Sequence, residues 1–419
     1  MPRLGSRPVT TRGFLFSVVL SLSAGLGWAG SAFAVQQGPA ADAFYVPPAP
    51  LPEGAAGSPI WARPLSGTMA LPNAARNTLV LYRSVDPAGQ PVAVSGTISI
   101  PKGTPPAGGW PVITWTHGTT GLAAICGPSR DTATGPEHGY IADIQVLLDQ
   151  FVAKGYAVVA TDYQGLGVAG FHPFLQGVPN GRNALDMLRA ARVLEPQIGP
   201  KYAVMGHSQG GQADMFTAAE GPSYAPELQL VGNVAMAPGT HIADRFAAVR
   251  ASDKVELALP YVLYTLQSYA TTDKSIDLGR ILTAKAQPYL AELQQGCMTK
   301  ALTDSYWATA IAKDQFLADP DLTAFLKMAA QNEPGTLAIS VPTLVMQGTA
   351  DVTVRPQDTD ASVRELCAKG NVVTYKTFPG RDHDGVMAAG APDALAFLAD
   401  RFAGAPAAGN CADLPKAAP

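Results

Sequence analysis

Between Lys201 and Gly211 the chain reads KYAVMGHSQGG. Tyr202 to Met205 is a short apolar run of strand type, and Gln212 to Ala219 reads as helix. Gly206-His207-Ser208-Gln209-Gly210 therefore falls at a strand-to-helix junction. A G-x-S-x-G at such a junction is a nucleophile elbow. Its serine sits on a sharp, strained turn, and a side chain two residues before or after it would collide with its neighbours, so Gly206 and Gly210 flank it. In a chain with 42 glycines the bare pattern also arises in ordinary loops. The context has to decide.

Apolar strand-type runs lie at 78–85, 92–100, 111–115, 156–161, 202–205, 228–235, 341–346 and 372–378, with helical periodicity at 141–153, 182–194 and 392–402. The first two runs are joined by the turn Asp86-Pro87-Ala88-Gly89 and start the domain as a hairpin. The later alternation of strand and helix implies a mostly parallel sheet of eight strands. About a hundred residues, 241–339, interrupt it with helical patterns at 255–269, 276–295 and 322–331. The interruption follows a strand's C-terminal end, the side on which open α/β sheets bind ligands, and is placed to be a cap. The expected organisation is an N-terminal extension at 35–77 packing on the core through Phe44, Tyr45, Trp61 and Leu65, a core at 78–240 and 340–403, the helical cap between its halves, and a tail at 404–419.

The first 34 residues carry Arg3, Arg7 and Arg12 without an acidic residue, then an apolar run from Phe14 to about Leu26, then Ser31-Ala32-Phe33-Ala34. This is the order of a secretory signal peptide cleaved near Ala34, in a run short for a membrane span. Its removal leaves 26 basic against 33 acidic residues, a net charge of −7 in place of −4. A mildly acidic chain of this kind is not a nucleic-acid binder. Cys126, Cys297, Cys367 and Cys411 all follow the cleavage site, and in an oxidising compartment four cysteines imply two disulfides with three connectivities. Pairing Cys126 with Cys297 and Cys367 with Cys411 is favoured, because the second bond would tie the tail to the main body. No C-x-x-C or H-E-x-x-H spacing marks a metal site.

A serine nucleophile needs a base, a residue that orients the base, and donors for the oxyanion. In α/β-hydrolases the triad arrives in the order Ser, Asp or Glu, His. After Ser208, the strand that follows the insertion ends at Gly348-Thr349-Ala350-Asp351, which proposes Asp351 as the orienting acid over Asp358 and Asp360. The next ends at Arg381-Asp382-His383-Asp384, which proposes His383 as the base, with Asp382 and Asp384 beside it. His117 and His207 belong to the oxyanion loop and the elbow; His138, His172 and His241 fall in loops. The amide of Gln209 and one from His117-Gly118-Thr119-Thr120 are the expected oxyanion donors, Thr119 ahead of Gly118 and Thr120. Such chemistry requires no metal or organic cofactor. A peptidase or acyltransferase on the same triad, or a non-catalytic binding protein, are the competing readings.

The stretches GHSQGGQADMFTAAEGPSYAPELQLVGNVAMAP (206–238) and VVATDYQGLG (158–167) resemble the secretory lipase family, a capped branch of the α/β-hydrolases. The resemblance covers about residues 75–240 and 340–400, and Pro222-Ser223-Tyr224-Ala225-Pro226-Glu227-Leu228 is its most specific phrase. It implies an α/β-hydrolase fold and a secreted esterase or lipase acting on a small-molecule or lipid ester. It also implies a helical lid over an acyl pocket that meets a lipid interface transiently, and a triad on Ser208, Asp351 and His383. No oligomeric state follows from it.

Overall fold

The computed structural model describes residues 36–414, together with Gly5 and Pro8. The expected signal peptide therefore lies outside the described residues. Ten strands form one sheet: β1 (Gln36–Gln37), β2 (Pro59–Pro64), β3 (Ala74–Val85), β4 (Pro91–Pro101), β5 (Trp110–Thr116), β6 (Ala157–Thr161), β7 (Ile198–His207), β8 (Gln229–Met236), β9 (Thr343–Gly348) and β10 (Val373–Phe378). Their order is β1-β2-β3-β4-β6-β5-β7-β8-β9-β10. Strands β2, β3, β4 and β6 pair antiparallel in succession, and every pair from β6 through β5 to β10 is parallel.

Eight of these strands are the expected ones, and the count of eight is corrected to ten. The additional two come from the extension at 35–77, which is not irregular throughout. Pro59–Pro64 pairs with β3, and Gln36–Gln37 pairs with that strand in turn. The short alternation around Trp61, bounded by prolines, hides the strand from its composition. Phe44, Tyr45, Ile60 and Trp61 bury against Leu79, Leu81 and Val168, with Leu65 packed on the same cluster.

Central strands are apolar on both faces because helices cover both. Along β7, Ala203 and Met205 meet α1 (His138–Ala153) and α10 (Gly385–Phe402) through Leu147, Phe151, Ala394 and Leu398. Tyr202 and Val204 instead meet α2 (Gly177–Leu194) through Leu185 and Leu188. Helices α3 (Gln209–Tyr224) and α9 (Pro356–Ala368) complete the cover around Met215, Val345, Val363 and Leu366.

Between β8 and β9 lie α4 (Ile242–Ala251), α5 (Leu259–Thr272), α6 (Leu290–Gln295), α7 (Met298–Thr303) and α8 (Thr323–Gln331). They share a core of their own that includes Phe246, Leu263, Tyr269, Trp307 and Phe325. The continuous helical pattern at 276–295 is broken in the structure into 3-10 turns at Leu278–Arg280 and Gln287–Tyr289 followed by α6. Pro288 cannot donate inside a helix, and Leu282 is drawn into a bridge with Phe316.

The block enters and leaves the sheet at one point. The Glu333 carboxylate accepts from the His241 amide (2.7 Å) and from the Thr240 hydroxyl. A second attachment joins Cys126 to Cys297 by a disulfide, with the Met298 amide donating to the Thr120 carbonyl (2.9 Å). The other disulfide, Cys367–Cys411, holds the tail, and Asn410 extends the hold by exchanging two hydrogen bonds with the Tyr375 backbone (2.7 and 2.8 Å). Both favoured pairings are therefore present.

Candidate active site

Strand β7 delivers Ser208 at its C-terminal end, where the backbone turns through φ 59° and ψ −120° before α3 begins. A non-glycine residue at positive φ stores strain that its surroundings must hold. The surroundings do so by close approach. A Cβ at Gly206 would strike the Gly210 carbonyl and the Thr116 hydroxyl, and one at Gly210 would strike the Thr116 carbonyl. Thr116 reinforces the turn, its hydroxyl donating to the carbonyl of Gly210 (2.9 Å).

The loops after β9 and β10 bring Asp351 and His383 to the same place. Ser208 Oγ lies 2.8 Å from His383 Nε2, and His383 Nδ1 lies 2.7 Å from Asp351 Oδ2. The other Asp351 oxygen accepts from the amides of Thr353 (2.8 Å) and Val354 (2.9 Å), and Gln347 Nε2 donates to Oδ2 (3.0 Å). Burial pushes the Asp351 carboxyl up, but its hydrogen bonds from His383, Gln347 and Val354 outweigh that and hold it below the usual carboxylate range. The rival acids are committed elsewhere. Asp358 pairs with Arg355 through two 2.8 Å contacts, Asp360 accepts from Tyr375, and Asp382 accepts from the Gly385 amide (2.9 Å). Asp384 stands 4.0 Å from His207 Nε2.

The expected oxyanion donors lie at the start of α3 and in the His117–Thr120 loop. Gln209 is the first residue of α3, so its amide has no helical carbonyl to serve. The Gly118 amide is already given to the Tyr140 hydroxyl (2.9 Å), which removes Gly118 as a donor, whereas Thr119 lines the cavity at Ser208.

Two contributors have no motif in the sequence. Tyr140, in the first turn of α1, receives the Gly118 amide and donates to His207 Nδ1 (2.8 Å). His207 Nε2–H in turn donates to the His383 carbonyl (2.9 Å). Burial first, and then the neighbouring His383, lower the His207 pKa to about 3, so the ring is neutral with Nδ1 as acceptor. One chain of hydrogen bonds thus ties the His117–Thr120 loop, the elbow and the His383 loop together. His172 does the same for Gln209: its Nε2 accepts from the Gln209 side chain (2.9 Å) while Nδ1 donates to the Gln164 carbonyl (2.9 Å). Burial lowers this imidazole to about 3 as well. Of the remaining histidines, His117 turns toward the carbonyls of Gly118 and Asp162, His138 pairs with Asp131 and His241 pairs with Asp244.

Two cavities meet at Ser208, Thr119, Tyr261 and Thr353. One is walled by Phe174, Leu175, Ile242, Phe246, Val262 and Phe325, mostly from the inserted block. The other is polar, with Glu137, Tyr140, His207, Thr299 and Asp384. Burial raises Glu137 to about 7 against the hydrogen bond it accepts from the Thr299 amide (2.8 Å). An apolar slot and a polar slot on either side of a hydroxyl suit the two halves of an ester.

Comparisons with known proteins agree with this architecture. Lipase A of Moesziomyces aphidis is 25% identical over 381 residues, covering 87% of this chain and 80% of its own length. A probable inactive lipase of Mycobacterium tuberculosis is 25% identical over 383 residues, covering 88% and 83%. Among solved structures, Candida antarctica lipase A matches with a TM-score of 0.70 at 21% identity over 84% of this chain and 83% of that one. The ligand-bound rice cell wall degrading esterase LipA from Xanthomonas oryzae matches with 0.65 at 22% identity over 83% and 98%. These structures share the α/β-hydrolase fold. The model of the secretory lipase family matches residues 141–410, from α1 to the tail and more than half of the chain. By that match the chain belongs to the secretory lipase family.

Proposed function

We propose that this protein is a secreted serine hydrolase that cleaves carboxylic esters through an acyl-enzyme. Membership of the secretory lipase family makes it a carboxylic ester hydrolase. The observation that carries the mechanism is the unbroken line from Ser208 Oγ to His383 Nε2 (2.8 Å) and from His383 Nδ1 to Asp351 Oδ2 (2.7 Å) on a strained elbow. His383 takes the hydroxyl proton as Ser208 attacks the ester carbonyl, and Asp351 holds the ring with Nδ1 protonated. The amides of Gln209 and Thr119 receive the oxyanion. His383 then protonates the departing alcohol, and water activated by the same ring releases the acid. The α4–α8 block acts as the lid, since it supplies most of the apolar walls that would take the acyl chain. Two disulfides fit an oxidising compartment. Among the described residues no helix is long and apolar enough to cross a membrane.

The test is Ser208→Ala. It should lower kcat on a p-nitrophenyl ester by about 10⁶, and a fluorophosphonate probe should label the wild type alone. Labelling that persists in the variant removes Ser208 from the mechanism.

A further inference from the structure

The apolar cavity at Ser208 contains a charge that ester cleavage does not use. On α4 the residues Ile242, Phe246 and Val249 are buried at a spacing of three and four, the stripe that faces the interior of the block. Arg245 stands on that stripe and lines the cavity beside Ile242 and Phe246. A guanidinium in this position needs an anion or a set of acceptors.

It has neither in full. Nη2 donates to the Val352 carbonyl (3.0 Å), while Nε is buried without a partner. The neighbouring carboxylates are taken. Asp358 is gripped by both nitrogens of Arg355, Asp351 belongs to His383, and Glu256 accepts from Ser252 (2.6 Å). Burial, and then the positive charge of Arg355, lower the Arg245 pKa against the opposing pull of Asp358, Glu256 and Asp351. Of the two charged side chains that line the cavity, Asp358 is paired with Arg355, and Arg245 keeps a buried nitrogen without a partner. A carboxylate arriving there would meet a fork-shaped donor already in place, the geometry in which arginine binds carboxylates best.

We propose that the acyl side of this site accepts chains ending in a carboxylate, with Arg245 recognising that end, so that half-esters of dicarboxylic acids are a substrate class. The inference rests on the ester-hydrolase reading. Ser208 attacks the ester end, the carbonyl–oxygen bond to the alcohol breaks, and water supplies the hydroxyl that leaves a dicarboxylate. Arg245 binds the remote end and takes no part in bond making.

The experiment compares kcat/KM for monomethyl esters of straight-chain dicarboxylic acids, from adipate to sebacate, with methyl esters of monocarboxylic acids of equal chain length. In the wild type the carboxylate-ended ester is preferred at one length or more. In Arg245→Met, which keeps the volume and removes the charge, the preference ratio falls about 10- to 100-fold; Arg245→Lys keeps part of it. A wild type that prefers the plain ester at every length, or a ratio unchanged in Arg245→Met, overturns the proposal. Calorimetric binding of the same half-esters to Ser208→Ala, with and without Arg245→Met, needs no turnover. Arg245-dependent binding without hydrolysis in the wild type would refute the ester-hydrolase reading and the substrate claim that rests on it, leaving only carboxylate recognition by Arg245. Loss of Arg245 dependence in binding would refute the proposal alone.

Discussion

Tyr140→Phe removes a single oxygen and leaves two groups without partners. The hydroxyl accepts the Gly118 amide (2.9 Å) and donates to His207 Nδ1 (2.8 Å). Gly118 is buried and His207 is fully buried. Each orphaned polar group costs about 1–3 kcal/mol. The polar cavity that Tyr140 lines lets water reach the gap and repay part of this, so the net loss of stability should be about 2–4 kcal/mol. The functional effect arises at the loop. With its amide released, Gly118 no longer holds Thr119 toward Ser208, and kcat should fall about tenfold, short of the 10²–10³ that removal of an oxyanion donor causes. KM should change little, because neither group touches the apolar wall. Urea unfolding gives the first quantity and steady-state ester hydrolysis the second. A stability change under about 0.5 kcal/mol together with kcat within about twofold of wild type would show that the chain through Tyr140 holds nothing in place.

Glu137→Gln tests a buried acid. The folded carboxyl is raised to about 7 from 4.5. Its contribution is fully present below pH 4.5, where both states are protonated, and is lost as the pH rises to about 7, by about 3 kcal/mol. The amide variant can still accept from Thr299, so it should be more stable than wild type at pH 8 and equal to it at pH 4; parallel pH–stability curves would refute the assignment. Replacing Cys126 and Cys297 together with serine opens a closure spanning 171 residues and should cost about 2–5 kcal/mol in chemical denaturation. A loss below about 1 kcal/mol would mean that the block is held by its other contacts alone.

What could be read from the residues was set by how locally each feature is encoded. The elbow needs a strand, two glycines and a helix in contiguous sequence, and the two loops after β9 and β10 inherit their places from strand order, so Ser208, Asp351 and His383 were all legible. The loop sequence already ranks Thr119 ahead of Gly118, but the physical reason, the Gly118 amide's bond to Tyr140 22 positions away on another element, exists only in the fold. Tyr140 and His172 have no motif, since their work consists of fixing neighbours through contacts that only folding creates. Strand β2 was missed because its pairing with β3 depends on tertiary contact rather than on β-type composition. The broken helix at 276–295 shows the reverse, an apolar period overridden by Pro288 and by a bridge to Phe316.

Glu333 ties the two ends of the inserted block to each other. Because one carboxylate holds both Thr240 and His241, the entry and exit of the block are neighbours, and the sheet from β8 to β9 is continuous beneath them. Such a segment is a single excursion from the sheet with a core of its own. Its length enters neither β8 nor β9, which pair directly beneath it. Beyond Glu333, the block is held to the core by the staple at Cys126, the backbone contact at Thr120, and bonds from Thr299 to Glu137, Ser268 to Phe174 and Tyr269 to Leu175.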